Sequence, residues 1–206
     1  MSLKLSYFDL RGRAETSRLV LHAAKKKFHD NRVAFSDWGN LKPKTPFGSL
    51  PVLEVDGQQF AQGMALAAFL ARENGLYGSS NLEGLAIDQI HVLREDLIVE
   101  EINLFKEKDA TKKAELVKTM TETVYPRFLA YFNKLIEENK EKTKSKFAVG
   151  TKLSLADIVI FEGTTSVSQT NPELVDKYPA VKALRSTVSE VEGIKQYLES
   201  RKKTDL

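Results

Sequence analysis

The chain has 206 residues, 42% of them hydrophobic, which is enough apolar content for a packed core in one large domain or two small ones. Its 31 Lys and Arg against 28 Asp and Glu leave a net charge of +3, spread along the chain, which reads as solubility and not as a nucleic-acid stripe. There is no cysteine, so disulfides, thiolate metal sites and a cysteine nucleophile are excluded, and any thiol chemistry must use a thiol brought in by a ligand. No apolar run approaches the ~18 residues of a membrane span. The N-terminus enters a strand pattern with no leader, so cytoplasmic residence is the default expectation, with no membrane and no nucleic acid as partner.

Leu3, Leu5 and Tyr7 alternate with Lys4 and Ser6, which predicts a strand with Tyr7 near its end. Gly12 breaks the chain, and Arg13 to Ala24 reads as a helix. Arg32-Val33-Ala34-Phe35 reads as a second short strand, followed by a polar, turn-rich segment through Lys44. Pro51 opens Val52-Leu53-Glu54-Val55, and Asp56-Gly57 then predicts a hairpin, because both residues tolerate the positive φ of a two-residue turn. A helix of high propensity begins near Met64 and stops at Asn74-Gly75. Its N-terminus stands beside the proline and offers unpaired N–H groups to an anion. The order βαβ–loop–ββα resembles a thioredoxin-like half, with Tyr7-Phe8-Asp9-Leu10 where a redox thioredoxin carries Cys-x-x-Cys.

Gly75 to Asn81 is small and polar, as domain boundaries tend to be. It divides the chain into 1–76, a linker at 77–81, and 82–206. Everything beyond reads as helix. Ala86, Ile90, Leu93 and Leu97 recur at helical spacing, and a second helix, which Pro126 should kink, runs from Leu116 to Ile136. Ser154 and Asp157 have capping-box spacing before Ile158 to Phe161. Further helices open at Tyr178-Pro179 and Gly193. His22, His29 and His91 form no metal-binding pattern, and no metal is expected.

Leu50-Pro51-Val52-Leu53 with Gln62-Gly63-Met64-Ala65 closely resembles the glutathione-binding half of the cytosolic glutathione S-transferases, nearest the sigma-like class. Tyr7-Phe8-Asp9-Leu10-Arg11-Gly12-Arg13-Ala14-Glu15 matches that family's N-terminal motif at the tyrosine, Gly-Arg and Ala-Glu. The resemblance covers nearly the whole chain. It implies an α/β N-terminal thioredoxin-like domain plus an all-α C-terminal domain, a homodimer, glutathione as co-substrate, and small apolar electrophiles as second substrates.

By the same resemblance, Tyr7 donates a hydrogen bond to the glutathione sulfur and Arg13 adds positive field, which makes these two the catalytic candidates. A free thiol has a pKa near ~8.5, so little is thiolate at neutral pH, and a donor aimed at the sulfur favours the anion. Trp38 and Lys42 are matched to the glycyl end of glutathione, Ser49, Leu50 and the expected cis Pro51 to its cysteinyl part, and Gln62 and Gly63 to its γ-glutamyl end. Asp96 is matched to an aspartate that reaches across the dimer. The second substrate is placed between Phe8, Leu10 and Gly12 on one side and Ile98, Ile102, Val159, Gly163 and Leu206 on the other.

Gly63 departs from the family's serine and removes a hydroxyl from the γ-glutamyl carboxylate. A serine at this helix N-terminus is expected to be neutral or slightly stabilising to the fold. Conjugation for detoxification is the first functional expectation. A glutathione-dependent prostaglandin D isomerase or an organic hydroperoxide peroxidase is the alternative on the same fold. A protein that sequesters apolar ligands or haem, or a crystallin-like structural relative, is the alternative of another class.

Overall fold

The structure, a computed structural model, describes residues 1–202 and 204. The expectation for Leu206 lies outside the described residues. Strand β1 (Leu3–Phe8) buries Leu5 and Tyr7 and turns Lys4 and Ser6 away from the core, as its alternation predicts. It pairs in parallel with β2 (His29–Val33) and antiparallel with β3 (Val52–Val55), which pairs antiparallel with β4 (Gln58–Ala61). The four-stranded mixed sheet has the order β2-β1-β3-β4. β2 begins three residues before the expected Arg32. His-Asp-Asn-Arg has low strand propensity, and it is the parallel register with Lys4–Phe8 that makes it a strand, aided by the Asn31 amide on Ser6 Oγ at 3.0 Å.

Helix α1 (Glu15–Ala23) and α3 (Gly63–Glu73) pack together beside this sheet. The expected helix start at Arg13 is a short 3₁₀ turn over Gly12–Ala14. A one-turn helix α2 (Trp38–Leu41) lies within the polar segment.

From Asn81 onward the described chain is helical. α4 (Asn81–Lys106) is capped by Ser80, whose hydroxyl accepts from Glu83 N–H. α5 (Ala110–Thr119) runs through a π-helical turn, Met120–Val124, into α6 (Tyr125–Thr143). The wide turn stands directly before Pro126 and accommodates the hydrogen bond that the proline cannot donate. α7 (Leu155–Gly163) is buried along its whole length. A helix apolar on every side belongs at the centre of a core. Its start is fixed by the capping box: Asp157 accepts from Ser154 N–H and Ala148 N–H, each at 2.7 Å. Leu155 N–H donates to Leu76 O at 2.7 Å, which ties this centre to the segment leaving α3.

The short helices α8 (Thr165–Thr170) and α9 (Pro172–Asp176) follow, then α10 (Pro179–Ser189) and α11 (Glu192–Ser200). α8 and α9 are too short to show an apolar period, and the expected helical region was not divided at them. α11 returns to pack on α1. There Gly193 admits the His22 carbonyl so closely that a Cβ would lie 1.9 Å from its oxygen. No helix among the described residues is long and apolar enough to cross a membrane.

Candidate functional site

The register of β1 and β3 pairs Ser6 with Val52, so Tyr7 at the end of β1 lies beside Pro51 at the start of β3. The Leu50–Pro51 bond is cis. The first residue of α3, Gly63, comes so near that a Cβ there would stand 2.8 Å from Arg13 O and 3.5 Å from Pro51 Cγ. Three segments thus converge on Tyr7: the turn entering α1, the proline before β3, and the N-terminus of α3. Gln62, which precedes α3, has φ +76°, a strained backbone for a residue with a Cβ.

Tyr7 is 7% exposed, and its hydroxyl accepts a hydrogen bond from Arg13 N–H at 3.2 Å. Because the backbone fills an acceptor site, the phenolic proton is free to donate outward. Burial pushes the Tyr7 phenol above its ordinary value, against the Arg13 N–H and the charges of Arg13 and Arg18, so it holds its proton at neutral pH. Gly12 has φ +41°, and a Cβ there would lie 2.6 Å from the Tyr7 oxygen. The glycine that breaks the sequence pattern is therefore the residue that leaves room for the hydroxyl.

Sequence reasoning missed the partners of this turn. Arg13 Nε pairs with Glu95 on α4 at 3.2 Å. Arg18 is fully buried, bonds Leu10 O at 2.9 Å and Glu15 Oε2 at 3.1 Å, and stands 5.9 Å from the Tyr7 ring centre. Glu15 also accepts from the Tyr197 hydroxyl at 3.0 Å and pairs with Arg201. Lys202 pairs with Asp9 at 2.6 Å, so α11 and the residues after it brace the loop that follows Tyr7. The available signal was the Glu15–Arg18 spacing on one helix face.

Trp38 is half-buried with its ring edge-on to Phe8 at 5.6 Å, and Phe8 stacks on Phe35 at 4.4 Å. Lys42 is exposed and reaches over Gly48, while Ser49 and Leu50 are half-buried before Pro51. Asp96 is exposed on the outer face of α4, apart from Tyr7's surroundings. It lines a groove of about 420 Å³ with Val92, Tyr131 and Lys134.

Of the residues assigned to a second substrate, Phe8 and Leu10 are half-buried on the loop after β1. Ile98 and Val159 are buried, Ile102 is half-buried, and Gly163 lies under Arg94, with 2.4 Å between a hypothetical Cβ and Arg94 Cδ. Next to this core lies a cleft of about 530 Å³ lined by Glu101, Leu104, Phe105, Tyr125, Ser166 and Thr204, among others. Arg11 Nη2 donates to Ser166 Oγ at 3.2 Å, which joins the loop after Tyr7 to the wall of this cleft. Glu101 of this lining belongs to a buried charge cluster, in which Arg94 Nη2 lies 2.8 Å from Glu162 and 3.1 Å from Glu101. No group of three or more potential metal ligands occurs among the described residues.

Comparison with known proteins agrees with this geometry. A family model described as "Glutathione S-transferase, N-terminal domain" matches residues 3–72, and one described as "Glutathione S-transferase, C-terminal domain" matches residues 95–201. Glutathione S-transferase 1 of Ascaris suum is 35% identical over 98% of this chain and 97% of its own. The solved structure of prostaglandin synthase D of Nilaparvata lugens is 32% identical, covers 99% of this chain and 100% of its own, and gives a TM-score of 0.87. That of monomeric Na-GST-3, a glutathione S-transferase from the hookworm Necator americanus, is 30% identical with full coverage of both chains (100%) and a TM-score of 0.87. With the turn entering α1, a cis proline and a helix N-terminus meeting at one tyrosine, and both halves matched, the chain belongs to the glutathione S-transferase family and is a glutathione transferase.

Proposed function

We propose that the chain conjugates glutathione to small apolar electrophiles in the cytoplasm, as a detoxifying enzyme, with Tyr7 holding the thiolate. The observation that carries this reading is the Tyr7 hydroxyl, which accepts from Arg13 N–H and keeps its own proton for the sulfur. A hydrogen bond to a charged group contributes about 1.5–3 kcal/mol, equivalent to about one to two units of thiol pKa. Arg13 adds positive field, moderated by Glu95. Trp38 and Lys42 take the glycyl end, Ser49, Leu50 and Pro51 the cysteinyl part, and Gln62 with Gly63 the γ-glutamyl carboxylate at the positive end of α3. The division is a glutathione-binding domain at 1–76, a linker at 77–81 and a helical domain at 82–206. The second substrate enters the cleft between the loop of Phe8, Leu10 and Gly12 and the helical half, where Ile98, Ile102, Val159 and Gly163 stand behind its wall.

The assembly is a homodimer in which Asp96 serves the partner's glutathione. The support is an apolar outer face: Leu82, Leu85, Val92 and Val99 recur along exposed α4, and Phe47 and Phe60 are exposed on the other half. The similar Na-GST-3 is described as monomeric, so the state of this chain is read by sedimentation. A dimer of one Asp96→Ala chain and one Tyr7→Phe chain keeps one intact site if Asp96 serves the partner and none if it serves its own chain, so the absence of any intact site would contradict the shared arrangement.

The intact Tyr7 turn favours catalysis over a crystallin-like or ligand-sequestering role. Calorimetric titration with glutathione, followed by conjugation to chlorodinitrobenzene, tests the reading. Binding with turnover is expected, and binding without turnover would favour sequestration.

A further inference from the structure

The bond from Arg13 N–H to the Tyr7 hydroxyl depends on the turn between them, and the carbonyls of that turn are held by a single cation. Arg18 Nη1 donates to Leu10 O at 2.9 Å and to Arg11 O at 3.3 Å. The same nitrogen meets Glu15 Oε2 at 3.1 Å, and Arg18 Nε meets Asp30 at 3.1 Å. The remaining nitrogen, Nη2, is buried and makes no hydrogen bond among the described residues. Glu15 is itself 0% exposed. Its Oε2 also accepts from the Tyr197 hydroxyl at 3.0 Å, while its Oε1 is taken by Arg201 Nη1 at 2.5 Å. Arg201 stands just after α11, in the helical half of the chain.

We infer that Arg201 is a positioning residue for the thiolate, acting through Glu15 and Arg18 on the turn that brings Arg13 N–H to the Tyr7 hydroxyl, a role that rests on Tyr7 holding the thiolate. With Oε1 open, the buried carboxylate would claim the idle Nη2 of Arg18. Side-by-side pairing of a guanidinium with a carboxylate is the strong arrangement for these groups. In it both terminal nitrogens of Arg18 turn to Glu15, and the Leu10 and Arg11 carbonyls lose their donor. By occupying Oε1, Arg201 leaves Arg18 to the turn.

Burial decides which cation of this segment matters. The Arg201–Glu15 pair is 13% and 1% exposed, so breaking it leaves a buried charge short of a partner. The neighbouring Lys202–Asp9 pair is 70% and 44% exposed, where an ion pair contributes little. Arg201 also lies over the Tyr197 ring, 5.9 Å from its centre, which fixes the guanidinium against α11.

The test is the pH titration of the thiolate absorbance of bound glutathione in the wild type, Tyr7→Phe, Arg201→Met and the double variant, with thermal unfolding to confirm folding. In Arg201→Met the midpoint is expected to rise by about half a unit or more, within the roughly one to two units that loss of the Tyr7 hydroxyl brings. Turnover at neutral pH should fall with it while the KM for glutathione holds, because the groups that grip the peptide are untouched. Arg201→Lys returns a cation to Oε1 and is expected to recover part of the shift. In the Tyr7→Phe background, Arg201→Met is expected to add nothing, since both changes act on one bond. A full shift persisting there would assign the effect to the field of Arg201 and overturn the inference, as would an unchanged midpoint in Arg201→Met. Should that variant not fold, Arg201→Gln carries the same criteria. If Tyr7→Phe shifts the midpoint and Arg201→Met does not, this inference alone is lost; if neither shifts it, the reading of Tyr7 beneath it is lost as well.

Discussion

The two halves of the site are built by different means. Around Tyr7, space is made by backbone: Gly12 leaves room for the hydroxyl, Gly63 admits the Arg13 carbonyl, and a cis proline closes the third side. Around the cleft of the helical half, the buried wall carries paired side-chain charge, with Arg94 between Glu101 and Glu162 and Tyr125 alongside. A site defined by backbone approach tolerates no added methyl group. A site defined by paired charges answers instead to protonation and to the loss of a partner.

The largest test of the contrast is Gly12→Ala. The new Cβ meets the Tyr7 oxygen at 2.6 Å in a left-handed backbone, so the hydroxyl must move. Removing an aligned donor costs ~10²–10³ in rate, and conjugation measured by kcat/KM is expected to fall by that order. Near-normal turnover would mean that the turn can shift without disturbing Tyr7.

In the charged half, the acid limb of stability is the next largest effect. Burial pushes His91 down to about 4, with Arg94 adding and Asp88 opposing. Below its ordinary value of 6.5 the unfolded chain takes up a proton that the folded chain resists, so stability falls as pH drops from 6.5 toward 4. The shift corresponds to about 3 kcal/mol at the lower end. Chemical denaturation of His91→Gln should show a correspondingly smaller loss over that window, and an unchanged acid limb would show that His91 does not contribute.

Gly163→Ala places a methyl group 2.4 Å from Arg94 Cδ and so couples the two modes of construction. Overpacking a core typically costs about 1–3 kcal/mol, and thermal unfolding should register it. No change would show that the guanidinium moves freely, against its role as a fixed bridge between carboxylates.

The smallest effect concerns Gly63. On sequence alone Gly63→Ser is expected to be neutral or slightly stabilising, but its Cβ would stand 2.8 Å from Arg13 O, a backbone atom of the Tyr7 turn. The close contact argues against that expectation: thermal unfolding should show a loss of about 1 kcal/mol, the lower end of the cost of overpacking, and calorimetry should show no tighter glutathione binding. Tighter binding would mean that the turn yields and that the new hydroxyl reaches the carboxylate.

This contrast also explains what the sequence disclosed. The hairpin, the helix after Gln62, the capping box at Ser154 and the approach to Tyr7 were legible because glycine, proline and alternation carry local information. β2 was placed late because its strand character comes from pairing with β1, and α8 and α9 were not told apart within the helical region because runs of six and five residues are too short to show an apolar period. Arg94 and Glu101 sit seven residues apart among Ile87, Ile90 and Leu97, on a face that sequence alone marks as apolar. Their partnership with Glu162 depends on α4 meeting α7, which no local pattern encodes. The Arg13–Glu95 pair likewise spans the two halves.

The most direct measurement is the pH titration of the thiolate absorbance of bound glutathione in the wild type and in Tyr7→Phe. The hydroxyl that accepts from Arg13 N–H should hold the bound thiol below the free value of ~8.5, and its removal should raise the midpoint by about one to two units. Coincident titration curves for the two proteins would contradict Tyr7 as the group that stabilises the thiolate.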